Sequence, residues 1–350
     1  MEFKPVDRVP YWWFGAWAST LDRWHKEGLP EDVHTGRYFG FDRRENLPVN
    51  FGMVPAFDRV LISEDANCRT IVNNKGVKLR ELKERTETSM PQFLEFPVKT
   101  RKDFLAMKRR YDPASPLRFP PWWEDDVKTL KARNYPIAIY GGTDLGFLGP
   151  VRGWTGLKTL MTLLHTDPGL VHEMMDFLAG FFVGIVEKIV ENVTADYFVF
   201  WEDMAYKTGP LISPRMFEEF MVPCYRKVTD VLKEAGVDTV MVDSDGNVNS
   251  LIPLWLKAGV NTVYPLEVQA GMDPVSLRKQ YGKRLRLIGG IDKRSFARSK
   301  GAIEEEVMGK VPYLVRKGGY IPTPDHSVPP DVPLGNFQHY TELIRETAAG

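Results

Sequence analysis

The chain has 350 residues, with 46 basic and 46 acidic side chains, so its formal net charge at neutral pH is zero. This balance gives no reason to expect nucleic acid or an anionic membrane as a partner. The two cysteines, Cys68 and Cys224, are too few and too far apart for a disulfide framework or a paired-cysteine metal site.

Nothing in the sequence predicts secretion or membrane insertion. The N-terminal residues lack the apolar core of a signal peptide. The most apolar stretch, residues 177–190, carries Glu187 and Lys188 and is shorter than a bilayer span requires. We therefore expect a cytoplasmic protein.

The N-terminal part predicts two strands joined by a helix. An aromatic-rich run over residues 10–16 predicts the first strand, and residues 47–53 predict the second. Between them, residues 19–27 have a helical pattern that Gly28 and Pro30 would end. The order strand, helix, strand begins an α/β arrangement.

A long excursion is expected before the next strand of the main sheet. Residues 58–98 hold several short β-type runs, and Asn73–Gly76 has the composition of a hairpin turn. Helices are expected near 99–111 and 121–133. Residues 58–133 would thus form an inserted cap or excursion from the main sheet.

From residue 135 onward, strands alternate with helices. The expected strands lie near 137–142, 196–202, 238–243, 261–266, 286–290 and 319–323. With the two earlier strands they number eight, which predicts a (β/α)8 TIM barrel formed by one domain over residues 1–350. The rival is a doubly wound open sheet, but no GxGxxG sequence follows any of the strands to support it.

Ionisable side chains recur at the carboxyl ends of the predicted strands. They are Glu202, Asp203, Asp243, Asp245, Glu267, Asp292, Lys293, Asp325 and His326. In a TIM barrel these ends surround one pocket, where chemistry is placed. We expect Glu202, Asp292 and Lys293 to be catalytic. The alternative is that each acid is a helix cap or part of a solvated turn.

The segment Asp243-Ser244-Asp245-Gly246 carries the metal hypothesis. Residues two apart on a strand face the same side, so Asp243 and Asp245 could converge on one ligand. With His326 they offer carboxylates and an imidazole, a donor set that suits a divalent metal, zinc foremost. Glu202 could replace Asp245 in this set. Without a metal, the same acids could act as general acid and base.

Aromatic residues near the first strand are candidates for a ligand wall. Trp12, Trp13 and Trp17 are close together in the sequence and could stack on a substrate, although core packing is the more common use of such clusters. Tyr264 and Glu267, at the end of a predicted strand, complete the expected substrate-binding set.

Four segments resemble motifs of the uroporphyrinogen decarboxylase superfamily. They are Arg8–Pro10, residues 207–214 with Phe217 and Phe220 downstream, Gly289–Asp292, and Asp325–Ser327 followed by residues 328–333. The resemblance extends over essentially the whole chain. It implies a (β/α)8 barrel, in agreement with the strand count.

The sequence also departs from the pattern of true uroporphyrinogen decarboxylases. Those enzymes carry an arginine-rich run after the first strand that binds substrate carboxylates, whereas this chain has Phe14–Trp17 there. A tetrapyrrole with eight carboxylates would face an acidic pocket without its main counter-charge. The departure therefore argues against porphyrinogen decarboxylation.

The resemblance is nearer to the corrinoid-linked methyltransferases of the superfamily. Asp243 and Asp245 stand where its thiol methylases have a His-x-Cys zinc pair, and His326 stands where they have a later cysteine. This implies a metal-dependent, demethylase-type transferase that moves a methyl group from a small methoxylated or related donor to a corrinoid (cobalamin) carrier protein. The metal would polarise the donor oxygen, and Glu202 would supply a proton.

Two alternatives stay open at this point. One is a cofactor-free decarboxylase or lyase that holds a small carboxylic acid through Lys293, Arg294 or Arg152. The other is a non-catalytic barrel that binds a small molecule or a corrinoid protein. Because superfamily members are often monomers or dimers, a monomer or homodimer is expected.

Overall fold

The computed structural model describes residues 1, 3–4, 6–84 and 90–347. Its strands are β1 Glu45–Asn46, β2 Val60–Glu64, β3 Cys68–Val72, β4 Lys78–Leu82, β5 Gln92–Glu95, β6 Ile137–Tyr140, β7 Tyr197–Trp201, β8 Ala205–Tyr206, β9 Gly209–Pro210, β10 Val240–Asp243, β11 Thr262–Tyr264, β12 Arg286–Ile288 and β13 Tyr320–Ile321.

The helices alternate with the strands over most of the chain. They are α1 Ala18–Lys26, α2 Thr35–Tyr38, α3 Arg101–Lys108, α4 Trp123–Lys131, α5 Leu148–Thr155, α6 Leu157–Thr166, α7 Pro168–Val190, α8 Pro214–Phe220, α9 Val222–Glu234, α10 Ile252–Lys257, α11 Pro274–Tyr281, α12 Lys300–Met308, α13 Val311–Lys317 and α14 Leu334–Thr347. Short 3-10 turns lie at Pro116–Arg118, Gly142–Asp144, Val268–Ala270, Gly282–Arg284 and Lys293–Ser295.

The main sheet is a curved parallel sheet whose strands lie side by side in chain order. That order is β1-β6-β7-β10-β11-β12-β13, and every neighbouring pair is parallel. Helices connect successive strands of this sheet, as parallel pairing requires. This is the predicted TIM barrel fold.

The run expected as the first strand is not a regular strand. Within residues 10–16, Ala16 alone makes a β-bridge, a parallel one to Val328. Gly15 has a φ of +124°, which interrupts an extended strand. The aromatic side chains point in different directions: Trp12 enters the barrel, while Trp13 stacks on Phe41 at 5.1 Å outside it. The conformation of this segment is therefore determined by the packing of its aromatic side chains and not by strand pairing.

The second strand lies upstream of its predicted position. β1 covers Glu45–Asn46 and pairs with Ile137 and Ala138, whereas the sequence predicts residues 47–53. The ladder continues only to Leu47, whose N–H donates to the carbonyl of Ala138. The next residue that could donate to β6 is Val49, but its N–H donates to the carbonyl of Leu47, so the ladder ends there.

Inward-pointing side chains of alternate strand residues fill the barrel below its mouth. This interior layer consists of Trp12, Ala138, Tyr197, Val199, Met241, Ile288 and Ile321, all buried. Trp12 packs against Tyr197 with ring centroids 5.7 Å apart. Because the interior is packed, small molecules can approach the barrel axis only from the carboxyl ends of the strands.

The excursion before β6 contains an antiparallel sheet, which we call the cap sheet (β2 to β5). Its strand order is β2-β3-β4-β5, and the predicted hairpin turn joins β3 to β4. In that turn the N–H of Gly76 donates to the carbonyl of Asn73. The chain then returns to the barrel, where the N–H of Val98 donates to the carbonyl of Trp154 in α5.

One buried arginine ties the excursion to the barrel. Arg118 has no exposed surface and donates to the backbone carbonyls of Asn50, Gly52, Arg110 and Asp112. No carboxylate partners it among these contacts, so burial lowers its pKa from the ordinary value. Its hydrogen bonds hold the segment after β1 against the segment after α3.

Helix α7 is longer than the apolar stretch singled out in the sequence. It has 23 residues, and by length and composition it is the one described helix that could cross a membrane. More than half of its most apolar window is buried inside the fold. Leu178, Phe182 and Ile185 belong to the main hydrophobic core, which is the usual environment of a central barrel helix.

Candidate active site at the carboxyl ends of the strands

The mouth of the barrel gathers acidic side chains from neighbouring strands. Asp203 follows β7, Asp243 ends β10, and Asp245 lies two residues further. His326 lies beyond β13, on the loop that closes the barrel against Ala16. We call Asp203, Asp243, Asp245 and His326 the mouth cluster. Parallel strands end at the same edge, which is why residues far apart in sequence meet here.

Asp243 is the most buried carboxylate of the mouth cluster. It is 9% exposed, and the hydroxyl of Tyr140 lies 3.4 Å from its Oδ2. Burial and the nearby charge of Asp245 raise the pKa of Asp243 to about 7. Near neutral pH this carboxyl group therefore holds its proton for a substantial fraction of the time.

Asp245 and His326 form a pair beside Asp243. Nε2 of His326 lies 3.2 Å from Oδ2 of Asp245. Burial by itself would lower the pKa of His326, but the hydrogen bond and charge of Asp245 raise it overall. The imidazole also stacks on Phe14, with centroids 4.6 Å apart. These contacts fix the ring and favour its charged form.

Asp203 joins the mouth cluster through an unusual backbone conformation. Its φ is +43°, a region that non-glycine residues seldom adopt. Arg152 donates to its carbonyl at 2.6 Å and to its carboxylate at 3.3 Å. Burial raises the pKa of Asp203, the charge of Asp245 adds to this, and the arginine opposes it. Backbone strain of this kind is common at functional sites.

A second ionic group lies next to the mouth cluster. Nζ of Lys293 is 3.7 Å from Glu267 and 3.5 Å from Asp325. Asp325 is fully buried and accepts from the N–H groups of Lys293 and Val268, both at 3.0 Å. Glu267 accepts a hydrogen bond from the N–H of Gly246 at 2.8 Å, which connects this ionic group to the loop that carries Asp245.

Glu202 faces away from the mouth cluster, towards the start of helix α5. It is fully buried and accepts the N–H groups of Phe147, Leu148 and Gly149. The hydroxyl of Tyr225 donates to it at 2.5 Å. Burial raises the pKa of Glu202 to about 6, although these four donors oppose the shift. The hydrogen bonds of its carboxylate therefore stabilise the start of α5.

Asp292 also lies apart from the mouth cluster. Arg294 binds both of its carboxylate oxygens, at 2.9 Å and 2.6 Å. Burial alone would raise the pKa of Asp292, but the hydrogen bonds from Arg294 lower it overall. The two residues line an outer groove together with Glu306 and Lys310. Among the predicted catalytic residues, Lys293 alone adjoins the mouth cluster.

The predicted substrate-binding residues separate into two environments. Trp12 and Trp13 belong to the packed interior and its surroundings, as described above. Trp17 is 43% exposed and lies 6.5 Å from the His326 ring, and Tyr264 stacks near Phe14 at 5.1 Å. Trp17, Tyr264 and Glu267 are thus the expected residues that the structure brings near the mouth cluster.

Two residues of the site were missed in the sequence. Tyr140 contacts Asp243 and is the last residue of β6, so the rule that selected strand-end acids would have found it if extended to tyrosine. Phe14 contacts His326 from a segment that forms no regular strand, and its position depends on tertiary packing that no local pattern reports.

The geometry does not form a ready metal centre. Within the described residues, no group of three or more His, Cys, Asp or Glu side chains is arranged to hold a metal ion. His326 is paired with Asp245, and Asp243 faces Tyr140. The structure brings Asp243, Asp245 and His326 together, but each of these side chains already has a protein partner, as in an acid–base cluster.

We expect Glu202→Gln to destabilise the protein without unfolding it. A carboxamide has one acceptor oxygen, so at least one of the four buried donors would lose its partner, at a cost of about 1–3 kcal/mol. Urea denaturation followed by circular dichroism measures the change. Glu234→Gln, an exposed residue at the end of α9, is the matched control. Equal stability of the two variants would contradict the buried role of Glu202.

Comparisons with known proteins agree on one family. Residues 151–347 match the family model described as uroporphyrinogen decarboxylase (URO-D). Uroporphyrinogen decarboxylase from Synechocystis is 22% identical over 247 residues, which cover 67% of this chain and 65% of that protein. The corresponding enzyme of Legionella pneumophila is 23% identical over 51% of its own length. The chain thus spans about half to two thirds of these decarboxylases.

Methyltransferases are also among the similar proteins. Methylcobamide:CoM methyltransferase MtbA from Methanosarcina acetivorans is 23% identical over 268 residues, which cover 74% of this chain and 72% of that protein. The solved structure of a methyltransferase from Methanosarcina mazei has a TM-score of 0.62 at 16% identity and covers 99% of this chain. The family therefore includes both decarboxylases and methyltransferases. Because its model matches more than half of the residues, the chain belongs to the uroporphyrinogen decarboxylase (URO-D) family.

Proposed function

We propose that this protein is a methyltransferase that moves a methyl group from a small methoxylated donor to a corrinoid on a partner protein. The observation that carries the proposal is the buried Asp243 beside the Asp245–His326 pair at the barrel mouth. The sequence similarity to a methylcobamide:CoM methyltransferase supports the same class of reaction.

The charges around the mouth favour a donor without several carboxylates. Arg152 is paired with Asp203, Lys293 with Glu267 and Asp325, and His326 with Asp245. Each of these cations already has a carboxylate partner, so a polyanionic substrate would meet repulsion from the acids. For the same reason, Arg152 and Lys293 are poorly placed to hold the carboxylate of a decarboxylase substrate.

The reaction needs one proton at the mouth. The bond between the methyl carbon and the donor oxygen breaks, and the oxygen keeps the electron pair of that bond. The reduced corrinoid would supply the electron pair that takes up the methyl group. The donor oxygen must then gain a proton, and a positioned side chain accelerates such a step.

Asp243 is the proposed proton donor. It is buried at the mouth, and its pKa of about 7 leaves a proton available near neutral pH. Asp245 would act through Asp243, because its negative charge helps to keep that carboxyl group protonated. His326 would balance the charge of Asp245, and Lys293 would steady the neighbouring loop through Asp325.

Substitution of Asp243 tests this assignment. In an assay with methoxylated donors and cob(I)alamin, we expect Asp243→Asn to lower methyl transfer by about 100-fold or more, the usual contribution of a general acid. Asp238→Asn changes an exposed carboxylate before the same strand and is expected to leave the rate unchanged. Release of the demethylated alcohol, measured by chromatography, is the readout.

The pH profile separates a proton donor from a structural residue. Because the protonated form of Asp243 is the active one, the rate should fall as the pH rises through about 7. Asp245→Asn removes the charge that raises this pKa, so the fall should begin at a lower pH. A pH profile that is the same in Asp245→Asn as in the wild type would contradict the role of the Asp245–His326 pair. Full activity in Asp243→Asn would contradict the assignment of Asp243 as the proton donor.

The arrangement of Asp243, Asp245 and His326 does not support zinc binding. The donor types suit zinc, and Nε2 of His326 lies 3.2 Å from Oδ2 of Asp245, but Asp243 faces Tyr140, and no group of three or more His, Cys, Asp or Glu side chains among the described residues is arranged to hold a metal ion. After dialysis against zinc, elemental analysis is expected to find no more metal in the wild type than in His326→Ala. One equivalent of zinc that disappears in this variant would establish a metal centre.

A further inference from the structure

One edge of the cap sheet presents apolar side chains to solvent. Strand β2 is the first in the order of this sheet, and among the described residues no backbone hydrogen bond joins its outer side to another segment. Val60, Leu61 and Ile62 are each about half exposed. An exposed apolar edge is a template for pairing with another strand, and β2 contains neither the lysine nor the proline that often protects such edges.

A bulge makes this edge irregular in a way that a second copy of the chain would match. The register between β2 and β3 shifts between Leu61 and Ser63, and Ile62 between them has no partner in β3. A bulge bends its strand and increases the local twist. In an antiparallel pair about a twofold axis between Leu61 and Ile62, the bulges of both copies lie at the axis, so the two strands have matching curvature.

A twofold pairing at this position also brings opposite charges together. Arg59 directly precedes β2 and Glu64 ends it, so Arg59 of each copy would lie opposite Glu64 of the other. Arg59 contacts Glu81 on one face of the cap sheet. Glu64 lies in the same cross-strand row as Glu81, because both are opposite Arg69. The two charges therefore lie on one face, as opposing residues of paired strands must.

The charged side chains at the ends of β2 can change partners at little cost. Within one copy, Arg59 lies 3.4 Å from Glu81, and Glu64 lies 3.1 Å from Lys83. The side chains of Arg59 and Glu64 are both exposed, and exposed ion pairs stabilise a protein little. An edge that is basic at one end and acidic at the other is self-complementary under a twofold axis.

The same pairing would extend an apolar row across the cap sheet. Its members lie opposite one another in the four strands, and they are Leu61, Ile71, Leu79 and Phe93. Ile71 and Leu79 are buried, whereas Leu61 at the end of the row is exposed. Ile62 of a second copy would lie opposite Leu61 and cover it, as cross-strand apolar pairs do.

We propose that β2 pairs with β2 of a second copy of this chain, antiparallel and about a twofold axis between Leu61 and Ile62. The pairing joins the two cap sheets into one continuous sheet. A regular strand of another protein would match neither the bulge nor the charges at both ends. The strand has 5 residues, fewer than the roughly 20–30 residues a side of a standard interface, so the dimer should dissociate on dilution. The proposal does not rest on the proposed function.

Sedimentation velocity over a concentration series tests this interface. We expect the wild type to pass from dimer to monomer on dilution. Arg59→Glu places two carboxylates opposite each other at each end of the strand pair, and Glu64→Arg places two cations there. Each variant alone should therefore dimerise about 10-fold more weakly or worse. Arg215→Glu makes the same charge reversal at an exposed residue of α8, outside the cap sheet, and should dimerise like the wild type.

An equimolar mixture of Arg59→Glu and Glu64→Arg is the most specific test. In a mixed dimer, each end of the strand pair again holds opposite charges, so dimerisation should return to nearly the wild-type strength. Changes within one copy cannot produce this recovery, because the two substitutions are in different chains.

The outcomes decide between this interface and a different use of the edge. Weak association of each variant alone, with recovery in the mixture, supports the proposal. A wild type that is monomeric throughout the series, unchanged association in either variant, or no recovery in a mixture of folded variants would overturn it. Circular dichroism and thermal melting verify that the variants are folded.

Discussion

Repulsion among carboxylates is the constraint that shapes the mouth of this barrel. Parallel strands bring Asp203, Asp243 and Asp245 to one edge, where burial and the charge of Asp245 raise the pKa of both of the other carboxyl groups. The protein limits this cost with Arg152 on one side and His326 on the other. Burial and the charge of Asp245 raise the pKa of Asp243, at the centre of these acids, to about 7.

Glu202 and Asp203, which are adjacent at the end of β7, have different structural roles. Glu202 turns towards the start of α5 and holds three of its backbone N–H groups. Asp203, with its positive φ, turns towards the mouth, where Arg152 binds it. One strand end therefore fixes α5 through Glu202 and places the carboxylate of Asp203 in the mouth cluster. Fold stability and site geometry depend on the same few residues.

The sequence predicts the barrel and the position of part of the candidate site, because both follow from local patterns. Alternating strands and helices give the fold, and the spacing of Asp243 and Asp245 at a strand end brings them together with His326. The rule that places strand-end acids in the pocket fails for Glu202 and Asp292. The orientation of their side chains depends on partners such as Tyr225 and Arg294.

The protonation state of Asp243 is the property on which the proposed chemistry depends. Infrared spectroscopy can follow the carbonyl stretch of its protonated carboxyl group over a pH series, with the spectrum of Asp243→Asn subtracted. We expect a midpoint near 7, because burial and the charge of Asp245 stabilise the protonated form. A midpoint near the ordinary aspartate value of 3.8 would mean that the carboxylate is ionised at neutral pH, and Asp243 could not be the proton donor.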